Sequence, residues 1–485
     1  MAAVAATVVM LVAIVAEDQT PLRAAPRGDA SVQAQLWEGD WLEVRDDSAE
    51  YLKVWDHRRE RPGFVRRERT RLYRLDASST GPLQAVVGYL RDAAGHESLG
   101  IAHAALFLRA APAGAYPEVQ AKLGFMADRL ARRVSRGGNA ADAAHLEVAK
   151  SYGVAFVTIE FDGRTRTCYD GDGLRRAIGA PGVPGREQLE AALALTRGDC
   201  TDANALPSTL GAWNQWRLDV LSRADSPDAP GYLRGRARLR RIEALAYLAW
   251  QAHRGGDASA GSRLAGEAIR QLALVDRNTI AEEDRNAYDQ AALRAAAVRW
   301  AADAGADAGA AGTSKAAKAG LSVEVKPGKP GESCLTLAGK KGDVLVERCT
   351  YGSVWTRSLM ASAQGDRATI AVQPLPGWSE LWVFRSGGQG WSVDVLTPAI
   401  VQPDLGYVES AGFTPDGERL LVVREARDDS GKVMRHFQVL RASTPALKVE
   451  VQAGTPRIIA AFRRFASPAW RSETLSLRGE SGPLD

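Results

Sequence analysis

The chain is short of the side chains that hold metals or serve as nucleophiles, with four cysteines and six histidines in 485 residues. His57, His96, His103, His145, His253 and His436 are scattered, with no H-E-x-x-H and no pair at ligand spacing, which argues against a zinc hydrolase. None of the cysteines forms C-x-x-C, and the tight spacings of a zinc site are missing, so no metal is expected. G-x-S-x-G, the phosphate loop and G-x-G-x-x-G are also absent, leaving acyl transfer and nucleotide chemistry without local support. No catalytic residue and no cofactor are expected, and the reading is a protein that is not an enzyme.

Charge of one sign is lacking too. Lys and Arg number 62 against 58 Asp and Glu, and a net charge of +4 is small for a dedicated nucleic-acid binder. Long apolar runs are missing except at residues 2–16, AAVAATVVMLVAIVA, which falls short of the ~20 residues of a membrane span and has the length of a signal-peptide core. Residues 1–13 are therefore expected to be a signal peptide or, uncleaved, an anchor that is the only membrane contact. Residues 14–16 are needed as the opening strand of the next module. Export to the periplasm or cell envelope suits the cysteines. Four allow three pairings, and proximity selects Cys168 with Cys200 and Cys334 with Cys349 as disulfides of an oxidising compartment.

A hydrophobic content of 45% is ample for several cores. Short alternating segments broken by turn residues occupy 14–16, 20–23, 33–37, 41–45, 51–56 and 63–66, the spacing of a small barrel. The stretch TPLRAAPRGDASVQAQLWEGDWLEVRDDSAEYLKVWDHRRERPGFVRRE carries Leu22 to Pro26, Leu36 to Val44, Tyr51 to Trp55 and Gly63 to Val65 in order. It resembles bacterial Src-homology-3-like (SH3b) domains over about sixty residues. The resemblance implies an SH3-like β-barrel over residues 14–77, of a kind that often recognises cell-wall peptides.

Residues 80–304 place Ala, Leu and Arg at helical spacing, which predicts a mainly helical domain. Within it, residues 234–251 and 258–274 form a helix pair similar to one tetratricopeptide hairpin; no second copy follows, and a generic helical domain is the simpler reading. Residues 155–168 read as a hairpin turning at Asp162-Gly163. DGDG at 170–173 starts like a calcium loop, but Leu174 and Pro181 stand where ligands belong, so a turn before a helix is expected. Residues 305–320 hold almost no large side chains and read as a linker. From 321 to 478 strands dominate, and AGFTPDGERLLVVREA is similar to a strand pair of a β-propeller blade. The length fits at most a partial propeller or a sandwich. The fold class is thus a multidomain α and β protein in three parts.

Trp37, Trp41, Tyr51 and Trp55 are the aromatic set of the first module. If Leu52 and Val54 face the core, alternation puts Tyr51, Lys53 and Trp55 outside, where aromatic rings hold peptide or sugar; packing on the neighbouring domain is the competing use. The stretch 57–74 carries eight arginines, Arg58 first, either a basic flank for an anionic polymer or a charged edge that resists aggregation. Trp37, Trp41, Tyr51, Trp55 and Arg58 are the candidate ligand contacts. Trp213, Trp216, Trp250, Trp300, Trp378, Trp382 and Trp391 are expected in cores. The expected function is binding of a cell-wall peptide or another anionic envelope ligand. The alternatives are an envelope interaction scaffold using the helical and β domains for a protein partner, and a cell-wall hydrolase with dispersed catalytic groups.

Overall fold

The structure, a computed structural model, describes residues 10–112, 116–161, 163–202, 205–278, 280–302, 313–316, 319–400, 404–443 and 446–477. It divides into two compact units, residues 1–206 with 220–233, and 207–219 with 234–485.

The first unit opens with seven strands: β1 (Leu11–Val15), β2 (Thr20–Arg23), β3 (Val32–Leu36), β4 (Trp41–Asp47), β5 (Tyr51–Asp56), β6 (Arg61–Arg66) and β7 (Thr70–Arg74). They pair antiparallel in the order β3-β2-β6-β5-β4-β1-β7. The two end strands do not pair, so the expected barrel is not closed. Along β3, arginine side chains take up backbone acceptors. Gln35 faces Pro21 of β2, which has no N–H to give, and the Gln35 carbonyl accepts a bond from Arg59 Nη2 at 3.4 Å. The Gln33 carbonyl accepts from Arg61 Nη1 at 2.8 Å. Guanidinium groups thus satisfy carbonyls of an end strand and leave it a poorer template for another chain.

β1 begins three residues ahead of the expected opening strand, inside the run read as a leader; residues 1–9 of that run lie outside the described residues. Ala13 and Val15 join Leu22, Leu36, Leu42, Leu52, Val54 and Val65 on the concave face. Val12 and Ile14 point the other way, into a core with Leu83, Val87, Ile101 and Phe107. A strand buried on both faces reads as an unbroken apolar run, which is why this one merges with the leader in sequence. Each fully buried Val or Ile here is worth roughly 1.5–3 kcal/mol.

The helices behind that face are α1 (Thr80–Leu90), α2 (Glu97–Ala110), α3 (Tyr116–Ser135) and α4 (Ala140–Ser151). α3 buries Val119, Met126 and Leu130 at helical spacing, and a reciprocal Asn139–Asp142 capping box starts α4. The hairpin β8 (Phe156–Phe161) and β9 (Arg164–Tyr169) follows where the sequence placed it; Asp162 of its turn lies outside the described residues, and Gly163 has the positive φ, 66°, that such a turn uses. After it come α5 (Asp172–Ala177) and α6 (Gly185–Leu195). Cys168 is bonded to Cys200.

The other helices are α7 (Pro207–Arg223), α8 (Gly231–Arg254), α9 (Ala258–Ala273) and α10 (Glu282–Ala302). The α8–α9 pair has small residues at its crossing: a Cβ on Gly261 would sit 3.3 Å from the Ala249 carbonyl. α10 is buried almost all round from Ala291 to Ala301, and it shares a core with Leu405 and Tyr407. The helical region is therefore divided between the units, with residues 207–219 and those from 234 on belonging to the same unit as the β region.

That region comprises β10 (Thr313–Ala316), β11 (Leu321–Pro327), β12 (Ser333–Ala338), β13 (Val344–Thr350), β14 (Ser353–Ala361), β15 (Arg367–Leu375), β16 (Trp378–Gly387), β17 (Gly390–Leu396), β18 (Gly406–Phe413), β19 (Arg419–Arg427), β20 (Val433–Arg441) and β21 (Lys448–Ala453). α11 (Ala460–Phe465) and α12 (Pro468–Glu473) complete it. β10 lies within the expected linker, most of whose remaining residues are outside the described ones. The strands form a four-stranded and an eight-stranded sheet, which share a core of Leu321, Val323, Leu335, Leu337, Ile370 and Phe384. Cys334 faces Cys349 across β12 and β13 and is bonded to it. Trp250, Trp300, Trp378 and Trp382 are buried as expected; Trp213, Trp216 and Trp391 are half-buried.

Candidate functional site

The four residues Trp37 to Asp40 make a turn between β3 and β4 that docks on the helices instead of facing outward. Asp40 Oδ2 accepts the Trp37 N–H at 2.9 Å and closes the turn. Gly39 adopts φ 90°, and a Cβ there would lie 2.6 Å from the Ser98 carbonyl of α2, so only glycine fits. The Gly39 carbonyl accepts the Tyr152 hydroxyl at 2.7 Å. Trp37 meets His145 edge-on, with ring centroids 6.4 Å apart. Trp41 stacks on His57 at 5.1 Å, and the Arg109 guanidinium lies 5.5 Å over its ring. Both tryptophans therefore serve packing against the helices, the competing use that the sequence left open.

Tyr51 is corrected as an outward contact, whereas Arg58 stays exposed but is engaged within the fold. Tyr51 is only 3% exposed, with Arg66 lying 5.6 Å from its ring centroid. Arg58 Nη1 is tied to buried Asp40 at 3.1 Å, and Arg59 bridges Asp40 and Asp56 at 3.0 and 2.8 Å. The rest of the arginine run is partnered as well: Arg66 by Glu68, Arg67 by Asp47, Arg69 by Glu17, Arg74 by Asp76. Arg61 and Arg71 bond backbone carbonyls. Six of the eight have carboxylate partners, so the run does not form an unbalanced basic flank.

On the outer face of β5 and β6 the register pairs Lys53 with Phe64 and Trp55 with Pro62. Trp55 and Phe64 are then diagonal neighbours, within reach of each other's rings. Both are half-buried, while Lys53, Pro62 and Arg66 are exposed. Phe64 was missed by sequence reasoning, although the alternation that sends Leu52 inward sends Val65 inward and hence Phe64 outward.

Where the turn meets the helices, Asp18, Glu38, His96 and His145 come together. His145 Nε2 lies 2.7 Å from Asp18 Oδ1, and His96 Nδ1 lies 2.6 Å from Glu38 Oε1. The Glu38 N–H donates to the same Asp18 oxygen at 3.0 Å. Potential ligand atoms of Asp18, Glu38 and His145 all lie within 4.8 Å of one another, a donor set that would suit zinc. The surroundings of His145 oppose this. Arg133 Nη2 stands 2.8 Å from His145 Nδ1 and can only donate, which assigns the imidazole proton to Nε2 and directs it at Asp18. A zinc-bound histidine instead donates through its free nitrogen to an acceptor. Arg133 and Arg129 both hold Glu97, which is 1% exposed, so the cluster is wired as an ion-pair network fastening turn to helices.

Burial raises the Glu38 carboxyl above its ordinary value, against the pull of His96. A raised carboxyl favours folding fully only below the ordinary carboxylate range, and that contribution disappears as pH rises through the folded value. Glu38→Gln is therefore expected to gain stability relative to the natural chain as pH rises from the ordinary carboxylate range to pH 8. Thermal unfolding at both ends of that interval checks this; a difference that does not change with pH would refute it.

In the second unit, a cavity of about 990 Å³ opens between the strands and the two final helices, lined by Met360, Phe413, Pro415, Arg464 and Phe465 among others. A comparison with protein-family models, with curated proteins and with solved structures finds no match to the chain.

Proposed function

We propose that the chain is a non-enzymatic binding protein of the periplasm or cell envelope, and that its N-terminal sheet holds a cell-wall peptide on the outer face of β5 and β6. The observation that carries this reading is the diagonal pair Trp55 and Phe64 beside Lys53. Flat, partly exposed rings hold the aliphatic parts of a peptide, and an exposed ammonium pairs with its carboxylates. The similarity of this stretch to SH3b domains points to the same ligand class. The two disulfides support an oxidising compartment, and among the described residues no helix is long and apolar enough to cross a membrane.

Sacculus co-sedimentation at low and moderate salt tests the proposal. The natural chain is expected to pellet at both, and Trp55→Ala with Phe64→Ala to lose about tenfold in retention, as anchoring aromatics do. Tyr51→Phe, a buried position, should pellet as before. Retention that vanishes at moderate salt, or that the double variant keeps, sinks the assignment to this face. A second reading, an envelope scaffold that holds a protein partner, is favoured by the 990 Å³ cavity of the second unit, whose size and largely apolar lining are those of binding clefts. It would be preferred if the natural chain stays in the supernatant while crosslinking from Met360 or Phe465 captures a protein.

A further inference from the structure

α8 and α10, with the part of α7 up to Asp219, bring three arginines to one carboxylate. Glu243 receives Arg217 Nη2 at 2.7 Å, and Arg217 Nη1 donates to Asn214 Oδ1 at 2.9 Å. The Trp213 ring lies 4.4 Å from the same guanidinium, whose side chain is 4% exposed. Glu243 is thus engaged by a buried partner. Arg240 and Arg294 nevertheless converge on it as well, at the looser distances of 3.5 and 4.0 Å. No other carboxylate among the described residues lies within ion-pair distance of either. Their side chains are 28% and 26% exposed, and Arg294 Nη1 also donates to the Gln290 carbonyl at 3.4 Å.

One carboxylate already shared with Arg217 cannot balance two further guanidinium charges. Burial alone would raise Glu243, yet Arg294, Arg240 and Arg217 together hold it down to about 2. Arg217 is pushed down to about 10, by burial first and with Arg240 and Arg294 opposing its charge. The surrounding arginines act on both groups, as the main cause that lowers Glu243 and as a contribution secondary to burial at Arg217. Two partly exposed guanidinium groups that approach the two oxygens of one carboxylate, at 3.5 and 4.0 Å, offer more donors than that carboxylate takes up, and planar guanidinium forks suit a phosphate.

We propose that Arg240 and Arg294 form a receptor for a dianionic phosphate group, with Glu243 and Arg217 holding the two forks in place when it is empty. The charge of the dianion equals that of the two guanidinium groups it would meet, whereas a single carboxylate would leave one unmatched. The source is either free phosphate or a phosphomonoester.

The test is titration of the full chain with inorganic phosphate, with glycerol phosphate and with acetate at matched ionic strength, followed by calorimetry and by the thermal midpoint. Saturable binding of one or both phosphates is expected, with acetate at least tenfold weaker. Binding of inorganic phosphate alone assigns the free ion, and binding of the ester alone assigns a phosphomonoester. Arg240→Gln with Arg294→Gln should weaken the response at least tenfold, and Arg285→Gln, an exposed position on α10, should leave it unchanged. Arg240→Lys keeps the charge but removes one fork, and is expected to weaken binding severalfold in a chain that folds normally, which covers the case in which the double variant does not. Absence of a saturable response to either phosphate overturns the proposal, as does a response that neither Arg240 variant alters.

Discussion

Glu243→Gln is expected to destabilise the second unit by about 3 kcal/mol, the low end of the cost of removing one partner of a buried pair, because Arg217 is buried while Glu243 is 27% exposed. Arg217 would keep a buried charge with only a neutral amide in its place, and Arg240 and Arg294 would lose the carboxylate that offsets their mutual repulsion. The pH dependence has a definite sign. A carboxyl held at about 2 when folded, against an ordinary value of 4.5, contributes stability above pH 4.5 that is lost as pH falls towards 2. The full difference is about 3 kcal/mol. Urea unfolding of the natural chain and of Glu243→Gln between pH 7 and pH 2 checks both statements. The two curves should converge at the acid end, where the natural carboxyl is protonated as well. Equal stability at pH 7 would show that Glu243 is not the keystone of this cluster.

Loss of the Cys168–Cys200 bond is the second large effect. The bond closes a 32-residue separation, and the chain-entropy account assigns such a loop about 4 kcal/mol, against about 3 kcal/mol for the 15-residue loop closed by Cys334 and Cys349. Location adds to the difference. The β8–β9 hairpin is a separate two-stranded sheet, which in isolation is marginal in water, whereas Cys334 and Cys349 join two strands of a four-stranded sheet. Cys168→Ser with Cys200→Ser is expected to expose residues 156–206 to limited proteolysis and to lower the urea midpoint of the first unit. Cys334→Ser with Cys349→Ser should have the smaller effect. Identical midpoints for oxidised and reduced natural chain would overturn the ranking.

Local signals in the sequence determined a good deal of this protein. Period-two alternation and turn residues located β2 to β6 to within two residues, the 3.6-residue spacing located the helical region and the α8–α9 pair in it, and proximity paired the cysteines as they are found. Each of these depends on neighbours in the chain, which a sequence displays directly. β7, TRLYR, escaped because its alternation is hidden among arginines, and the start of β1 escaped because burial on both faces erased its period.

Partnership across the fold was decided only by tertiary structure. The eight arginines of residues 57–74 left a basic flank and a charged edge both open, and the fold brings Asp40, Asp56, Asp47 and Glu17 beside Arg58, Arg59, Arg67 and Arg69. Trp37 and Trp41 were open to a platform or to packing, and the structure shows contacts with α4 and α2, where a glycine turn presses them onto the helices. The outward pair Trp55 and Phe64 emerged only once the β5–β6 register was known, and Glu243 with its three arginines spans 78 positions from Arg217 to Arg294 without any motif. Charge balance and exposure belong to atoms close in space, whereas spacing along the chain reports only the elements that carry them.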